Sequence, residues 1–346
     1  MIQFQCDYNE GAHPLIMQRL LESNMEQTIG YGEDHYCHQA RLLIQQACDN
    51  NNIDVHFLVG GTQTNTTVIS HILRPYQGVL TAGSGHINVH ETGAIESTGH
   101  KVLSIASADG KLTATQIEEA VLAHQHEDGP EHMVQPGMVY ISFPTEVGTV
   151  YTLAELESIS TICRKYSLPL FVDGARLGYG LCSPDSDITL PKLATLTDVF
   201  YIGGTKVGAL FGEAVVISND ALKRDFRYSI KRHGGMLAKG RLLGIQFAQL
   251  FTDNLYMQIA QHAIDQAMRI KSALQAKGIK FLIDSPTNQQ FPIFNDAQYE
   301  ELSKKYLFSF WQRIDEEHTA VRICTSWATK SENVDCLIED ILAMRG

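Results

Sequence analysis

Apolar and polar positions along the chain follow two rhythms. Short, nearly continuous apolar runs mark strands: VHFLVGG at 55–61, GVLTAG at 78–83, KVLSIA at 101–106, GMVYISFP at 137–144, LPLFVDGA at 168–175, DVFYIGGTK at 198–206 and EAVVIS at 213–218. Runs with little alternation suit strands covered on both faces. Between them the spacing turns helical. Val68, Ile69, Ile72 and Leu73 share one face after GGTQTN, and Leu153, Leu156, Ile159, Cys163 and Tyr166 share another. Thr113 with Gln116, and Thr152 with Glu155, have the spacing of capping boxes, which fix two helix starts.

This strand–helix alternation predicts an α/β fold with a mostly parallel sheet and helices on both sides. After a long helical stretch over 237–277 the pattern changes. IKFLID, QQFPIF, LFSFWQ and AVRICTSW read as strands, and a final helix carries Val334, Leu337, Ile338, Ile341 and Leu342. Two domains are expected: a large α/β unit over 1–245, its first ~15 residues an N-terminal arm, and a smaller α+β unit over 246–346.

Composition narrows the function. The 346 residues are 44% hydrophobic and 19% charged, as in a globular protein, and the formal net charge is −12. With acidic residues spread along the chain, such a surface repels phosphate backbones, so nucleic acid is not an expected partner. No apolar run approaches the roughly 20 residues of a membrane span. The opening residues MIQFQCDYNEG lack the basic and apolar regions of a secretory signal. Seven scattered cysteines without a C-x-x-C pair fit a reduced, cytoplasmic protein. HQHEDGPEH at 124–132 has irregular ligand spacing and reads as a solvated loop, so no metal is expected.

Lys206 stands in FYIGGTKVGALFG, a strongly hydrated cation among apolar residues and glycines. Burying an ammonium is costly unless it is paired, neutralised or chemically committed. Asp173 ends the preceding apolar strand, where open α/β sheets place their ligand crevices. GGTQTN joins a strand to a helix, and backbone N–H groups at such a start suit a phosphate. It is not a P-loop, since no Gly-Lys-Ser/Thr follows, and GSGHIN is no dinucleotide fingerprint. A phosphate nest, an acid able to pair a pyridinium and an imine-forming lysine are together the requirements of pyridoxal 5′-phosphate.

At these residues the chain resembles the low-specificity threonine aldolases of the aromatic amino acid β-eliminating lyase family, which have the aspartate-aminotransferase fold, fold type I. The resemblance runs through CDYNEGAHP, YGED, GGTQTN, GHINVHETGA, VDGAR, TKVG and VRICTSW. It implies a pyridoxal-phosphate-dependent carbon–carbon lyase that releases glycine and an aldehyde from threonine, allo-threonine or related β-hydroxy-α-amino acids. It implies Lys206 as the covalent cofactor lysine, Asp173 on the ring nitrogen and His86 stacked on the ring. Gly61 and Thr62 would hold the phosphate, with Thr205 beside the lysine. Arg176 and Arg322 would orient the substrate carboxylate, a bidentate task suited to arginine, with Arg176 also counted among the cofactor's neighbours. Tyr31 would approach from a neighbouring subunit of a homodimer or tetramer, and Arg232 and Lys239, in KRHGGMLAKG, would reach a phosphate across that interface.

By pattern alone His86 reads as an ordinary surface or core histidine, Arg322 as an exposed strand arginine and Tyr31 as an ordinary packing residue. Two positions depart from the family. Glu146 stands where family members commonly have a histidine near the substrate hydroxyl, and Cys6 replaces a serine that contacts the carboxylate. Glu146 is a candidate base, with His86 through water or a phosphate-held water as alternatives. The rival activity is β-elimination from a serine- or cysteine-like amino acid. Transamination and a non-catalytic pyridoxal-phosphate carrier are the other readings.

Overall fold

The computed structural model describes residues 1–344. Residues 345 and 346, the last two of the small unit expected at 246–346, lie outside the described residues. The seven apolar runs form strands β1 (Asp54–Leu58), β2 (Gln77–Ala82), β3 (Lys101–Ile105), β4 (Gln135–Ser142), β5 (Leu170–Asp173), β6 (Val199–Gly203) and β7 (Glu213–Ile217). They make one sheet in the order β1-β7-β6-β5-β4-β2-β3. Strand β7 is antiparallel to both neighbours, and the remaining pairs are parallel. Every residue of β5, β6 and β7 is buried, which explains why these runs do not alternate. Both capping boxes form, on helices Ala114–Gln125 and Leu153–Lys165.

The C-terminal third and the N-terminal arm differ in places from the sequence pattern. The helical stretch expected over 237–277 is two helices, Arg241–Phe251 and Leu255–Ala276. Asp253 and Asn254 between them have φ of 52° and 59°, a left-handed conformation that no α-helix continues through. The boundary expected at 245/246 falls inside the first of these helices. That helix packs on helix His35–Ala47, and a Cβ at Gly244 would lie 2.4 Å from the backbone nitrogen of Cys37, so the crossing requires glycine.

The N-terminal arm, in turn, is tied to the small unit, because Ile2–Gln3 pairs in parallel with Tyr306–Leu307. Of IKFLID only Lys280–Phe281 pairs, joining Pro292–Asn295 in an antiparallel sheet with Gln289–Gln290, Ser309–Arg313 and His318–Cys324. Val334, Leu337 and Ile341 of the last helix are buried against a separate core that includes Ile270 and Leu274. Leu342 is half exposed instead.

Candidate active site

The carboxyl ends of β4, β5 and β6 converge on one cavity, with the loop after β1 closing its far side. Strand β5 ends at Asp173 because Gly174 follows: a Cβ there would stand 1.9 Å from the carbonyl oxygen of Tyr201. This close approach lets β5 and β6 deliver both of their loops to the same space.

Asp173 is 4% exposed and accepts four hydrogen bonds. Its Oδ1 receives the Ala175 N–H at 2.9 Å and the Tyr201 hydroxyl at 2.5 Å; its Oδ2 receives Asn65 Nδ2 at 3.2 Å and the Tyr140 hydroxyl at 2.5 Å. All four donors are neutral. Lys206 lines the same cavity, and the Tyr179 hydroxyl holds its backbone carbonyl at 2.5 Å. Among the described residues, Lys206 Nζ forms no hydrogen bond or ion pair. Burial depresses its pKa and the charge of Arg176 adds to this, while Asp7, Asp173 and Glu213 oppose it. Buried Asp173 and half-buried Lys206 thus face one cavity without forming a salt bridge.

Gly60, Gly61 and Thr62 also line the cavity, where helix Gly61–Ile72 begins. Gly60 caps the helix without a side-chain bond, so the first N–H groups are left for an anion. Thr205 lies beside them, but its hydroxyl donates to Glu213 Oε1 at 2.8 Å and accepts the Gly212 N–H at 3.0 Å.

His86 opens a short helix, and its Nδ1 is 2.7 Å from Oε1 of fully buried Glu91. Burial works against a charged imidazole here, yet the Glu91 bond and the charges of Asp173 and Glu91 outweigh it, so the His86 pKa is raised. The His86 backbone N–H donates to Glu146 Oε1 at 2.8 Å, and Ser142 Oγ donates to the same oxygen at 2.6 Å. Burial raises the Glu146 pKa, the two donors pull it down only in part, and Asp173 adds to the rise.

Arg176 is less free than its position in VDGAR implies. Nε and Nη2 form a two-pronged pair with Asp7 at 2.7 and 3.0 Å, and Asn288 also donates to Asp7 at 2.9 Å. Burial alone would raise the Asp7 pKa, but Arg176, Lys206 and these bonds bring it to about 2. The pair fixes the guanidinium so that its Nη1 edge remains for a ligand. Arg322 is half-buried on the strand His318–Cys324 rather than exposed, with its guanidinium 5.8 Å over the Trp311 ring. Nη2 donates to the Gln5 carbonyl at 3.0 Å and Nη1 to Gln289 at 3.2 Å, while Nε is buried without a partner. Arg322, Trp311 and Phe310 form the outer mouth shared with His86, Glu146, Arg176 and Lys206.

Within one chain Tyr31 does not join this group. It lines a different cavity, is half exposed and lies under the Lys231 ammonium at 5.1 Å. Arg232 and Lys239 are exposed and do not line the cavity. Cys6 donates to Asn9 at 2.9 Å instead. Sequence reasoning missed Asp7, Glu91, Tyr140, Tyr201 and Glu213. Glu91 and Glu213 carried a signal: one sits five residues after His86, and the other is an acid opening an otherwise apolar strand.

The beta-eliminating lyase family model matches residues 7–297. A low-specificity L-threonine aldolase of a Pseudomonas species is 30% identical over 353 aligned positions, covering 99% of this chain and 97% of that protein. The solved structure of a Leishmania major threonine aldolase is 45% identical with a TM-score of 0.96, over 99% of this chain and 98% of the other. A mutant aspartate aminotransferase of Thermus thermophilus, 12% identical, matches with a TM-score of 0.71 over 99% of this chain and 91% of its own, and shows the shared fold alone.

Proposed function

Since this chain belongs to the beta-eliminating lyase family and is a pyridoxal-phosphate-dependent carbon–carbon lyase of fold type I, we propose that it cleaves L-threonine, L-allo-threonine and related β-hydroxy-α-amino acids to glycine and an aldehyde. One observation carries the reading at the site: buried Asp173 and half-buried Lys206 face a common cavity, and neither forms a salt bridge with an opposite charge. A molecule with a basic ring nitrogen at one end and an aldehyde toward the other satisfies both, and its phosphate would meet the free N–H groups at Gly61 and Thr62. The residues present therefore fit pyridoxal 5′-phosphate.

When bound, the cofactor supplies an aldehyde that holds the amino acid and a protonated ring that takes up the electron pair of the broken bond. Lys206 would hold it covalently, Asp173 would keep the ring nitrogen charged and His86 would cover one face. With Nη1 of Arg176 already oriented by Asp7, and Arg322 at the mouth, the substrate carboxylate would be fixed from two sides. That orientation decides which bond at Cα is broken.

Glu146 would take the proton from the β-hydroxyl as Cα and Cβ separate. Its raised pKa, caused first by burial, makes it a stronger base than an exposed carboxylate. Glu146→Gln should lower kcat by on the order of 10²-fold while cofactor affinity changes little; unchanged turnover would remove Glu146 as the base.

An amino-acid panel read for glycine, aldehyde, ammonia and pyruvate tests the activity. Glycine and acetaldehyde in equal amounts from the threonine isomers are expected. Ammonia and pyruvate from serine or cysteine, without aldehyde, would instead mark a β-eliminating enzyme in which Lys206 removes the α-proton.

The assembly proposed is a homodimer or tetramer, in which Tyr31 meets a neighbour's cavity. Exposed Met17, Leu21, Met25 and Ile29, in and after helix Pro14–Glu22, support it. All seven cysteines are free, which supports a cytoplasmic location. Among the described residues no helix is long and apolar enough to cross a membrane.

A further inference from the structure

Glu213 is a buried acid that the reaction above does not use. It opens β7 opposite Gly203 on one side and Leu58 on the other, between the strand ends that carry the lysine loop and the helix-start loop. It is 4% exposed and lines the same cavity as Gly61, Thr62 and Lys206. Oε1 accepts from Thr205 Oγ1 at 2.8 Å and Oε2 from the Gly204 N–H at 3.1 Å. Among the described residues it forms no salt bridge.

These bonds set a conflict with the cofactor. The Thr205 hydroxyl has one hydrogen, and a Glu213 carboxylate consumes it. A carboxylate facing the cavity would also repel a phosphate dianion in a space with little water to screen them. Protonation resolves both problems at once. A neutral Glu213 donates its own hydrogen to Thr205 Oγ1, and the threonine hydrogen becomes available to a phosphate oxygen.

We propose that Glu213 is a proton-coupled cofactor-binding residue: it admits the phosphorylated end of the cofactor as the neutral acid and passes a hydrogen-bond donor to it through Thr205. This rests on the cavity being the pyridoxal-phosphate site. The proton comes from solvent, and no other bond changes. The ionisable groups that face Glu213 are Lys206 on the adjoining loop, Asp173 at the end of β5, Tyr201 on β6 and Tyr256 on helix Leu255–Ala276. Burial pushes the Glu213 carboxyl up to about 8, against the pull of Thr205, Lys206 and Gly204 and with help from Asp173. Both tyrosines are raised above the ordinary phenol value, first by burial, and stay neutral throughout that range. Phosphate affinity is therefore full below the Glu213 pKa and falls as pH rises through it.

The test uses the full-length chain freed of cofactor and pyridoxine 5′-phosphate, which carries the phosphate but no aldehyde, so that covalent chemistry at Lys206 does not contribute. Affinity is titrated from about pH 7 to about pH 9, a span in which ordinary carboxylates stay charged and ordinary phenols stay largely neutral. The wild type should weaken toward a limit of about tenfold per pH unit for one linked proton, and Glu213→Gln, which cannot ionise, should lose that component. Parallel pH profiles in the two proteins would overturn the role of Glu213. Calorimetry of the wild type near pH 8.5 in buffers of different ionisation enthalpy adds a readout that needs no variant: proton uptake on binding is expected, and its absence would overturn the proposal. Uptake that persists undiminished in Glu213→Gln would assign the proton to Lys206 or to the ring nitrogen of the ligand and also overturn it. Failure of both proteins to bind at pH 7 would instead contradict the placement of the cofactor.

Discussion

Lys206→Ala will leave a folded chain that no longer holds pyridoxal 5′-phosphate covalently, and its turnover of threonine will fall by on the order of 10³-fold or more. The expected loss is in chemistry and not in folding. Lys206 Nζ has no partner among the described residues, so alanine removes no hydrogen bond. It also removes the desolvation cost of a half-buried ammonium, and the melting temperature of the cofactor-free protein should hold or rise. The visible absorption of the bound cofactor, recorded beside a melting curve, checks both parts. A variant that stays yellow and active after dialysis would place the covalent lysine elsewhere.

Asp173→Asn should lower turnover by on the order of 10²–10³-fold, and here stability falls as well. Asparagine keeps the size of the side chain but replaces an acceptor-only group with one that must donate. The Nδ2 of the variant would face two donors that now point at one carboxylate oxygen, and a lost buried hydrogen bond costs about 1–3 kcal/mol. Tyr140 can rotate its hydroxyl to accept, whereas Asn65 Nδ2 cannot. Cofactor affinity should drop together with kcat, because the charge that matches the ring nitrogen is gone. Normal turnover with a normal melting temperature would mean that the ring nitrogen is not matched at this position.

The parts of this molecule legible in its sequence are those with local causes. Strand ends at Asp173 and before Lys206, the two capping boxes and the GGTQTN helix start each depend on a few adjacent residues. Helix His35–Ala47 was not seen, because its buried face is Tyr36, Cys37, Ala40 and Ile44, a mix that lacks a strong leucine or isoleucine stripe. The break at Asp253 and Asn254 depends on backbone torsions that neither residue dictates alone.

Within the site, the same division holds. Lys206, Asp173, His86 and Glu146 meet in one cavity, as their motifs imply. The partner that fixes Arg176 lies 169 positions away at Asp7, and no periodicity records such a contact. Glu146 and His86 are coupled through a backbone N–H, which composition also does not report. Tyr31 belongs to a different surface of the single chain, so its expected role depends wholly on a second copy.

The central claim is that the nitrogen of half-buried Lys206 carries the cofactor opposite the buried carboxylate of Asp173. Borohydride reduction of the cofactor-loaded protein followed by peptide mass mapping tests it most directly. The account predicts a single pyridoxyl-phosphate adduct, on the peptide containing Lys206. An adduct on another lysine, or none, would contradict it.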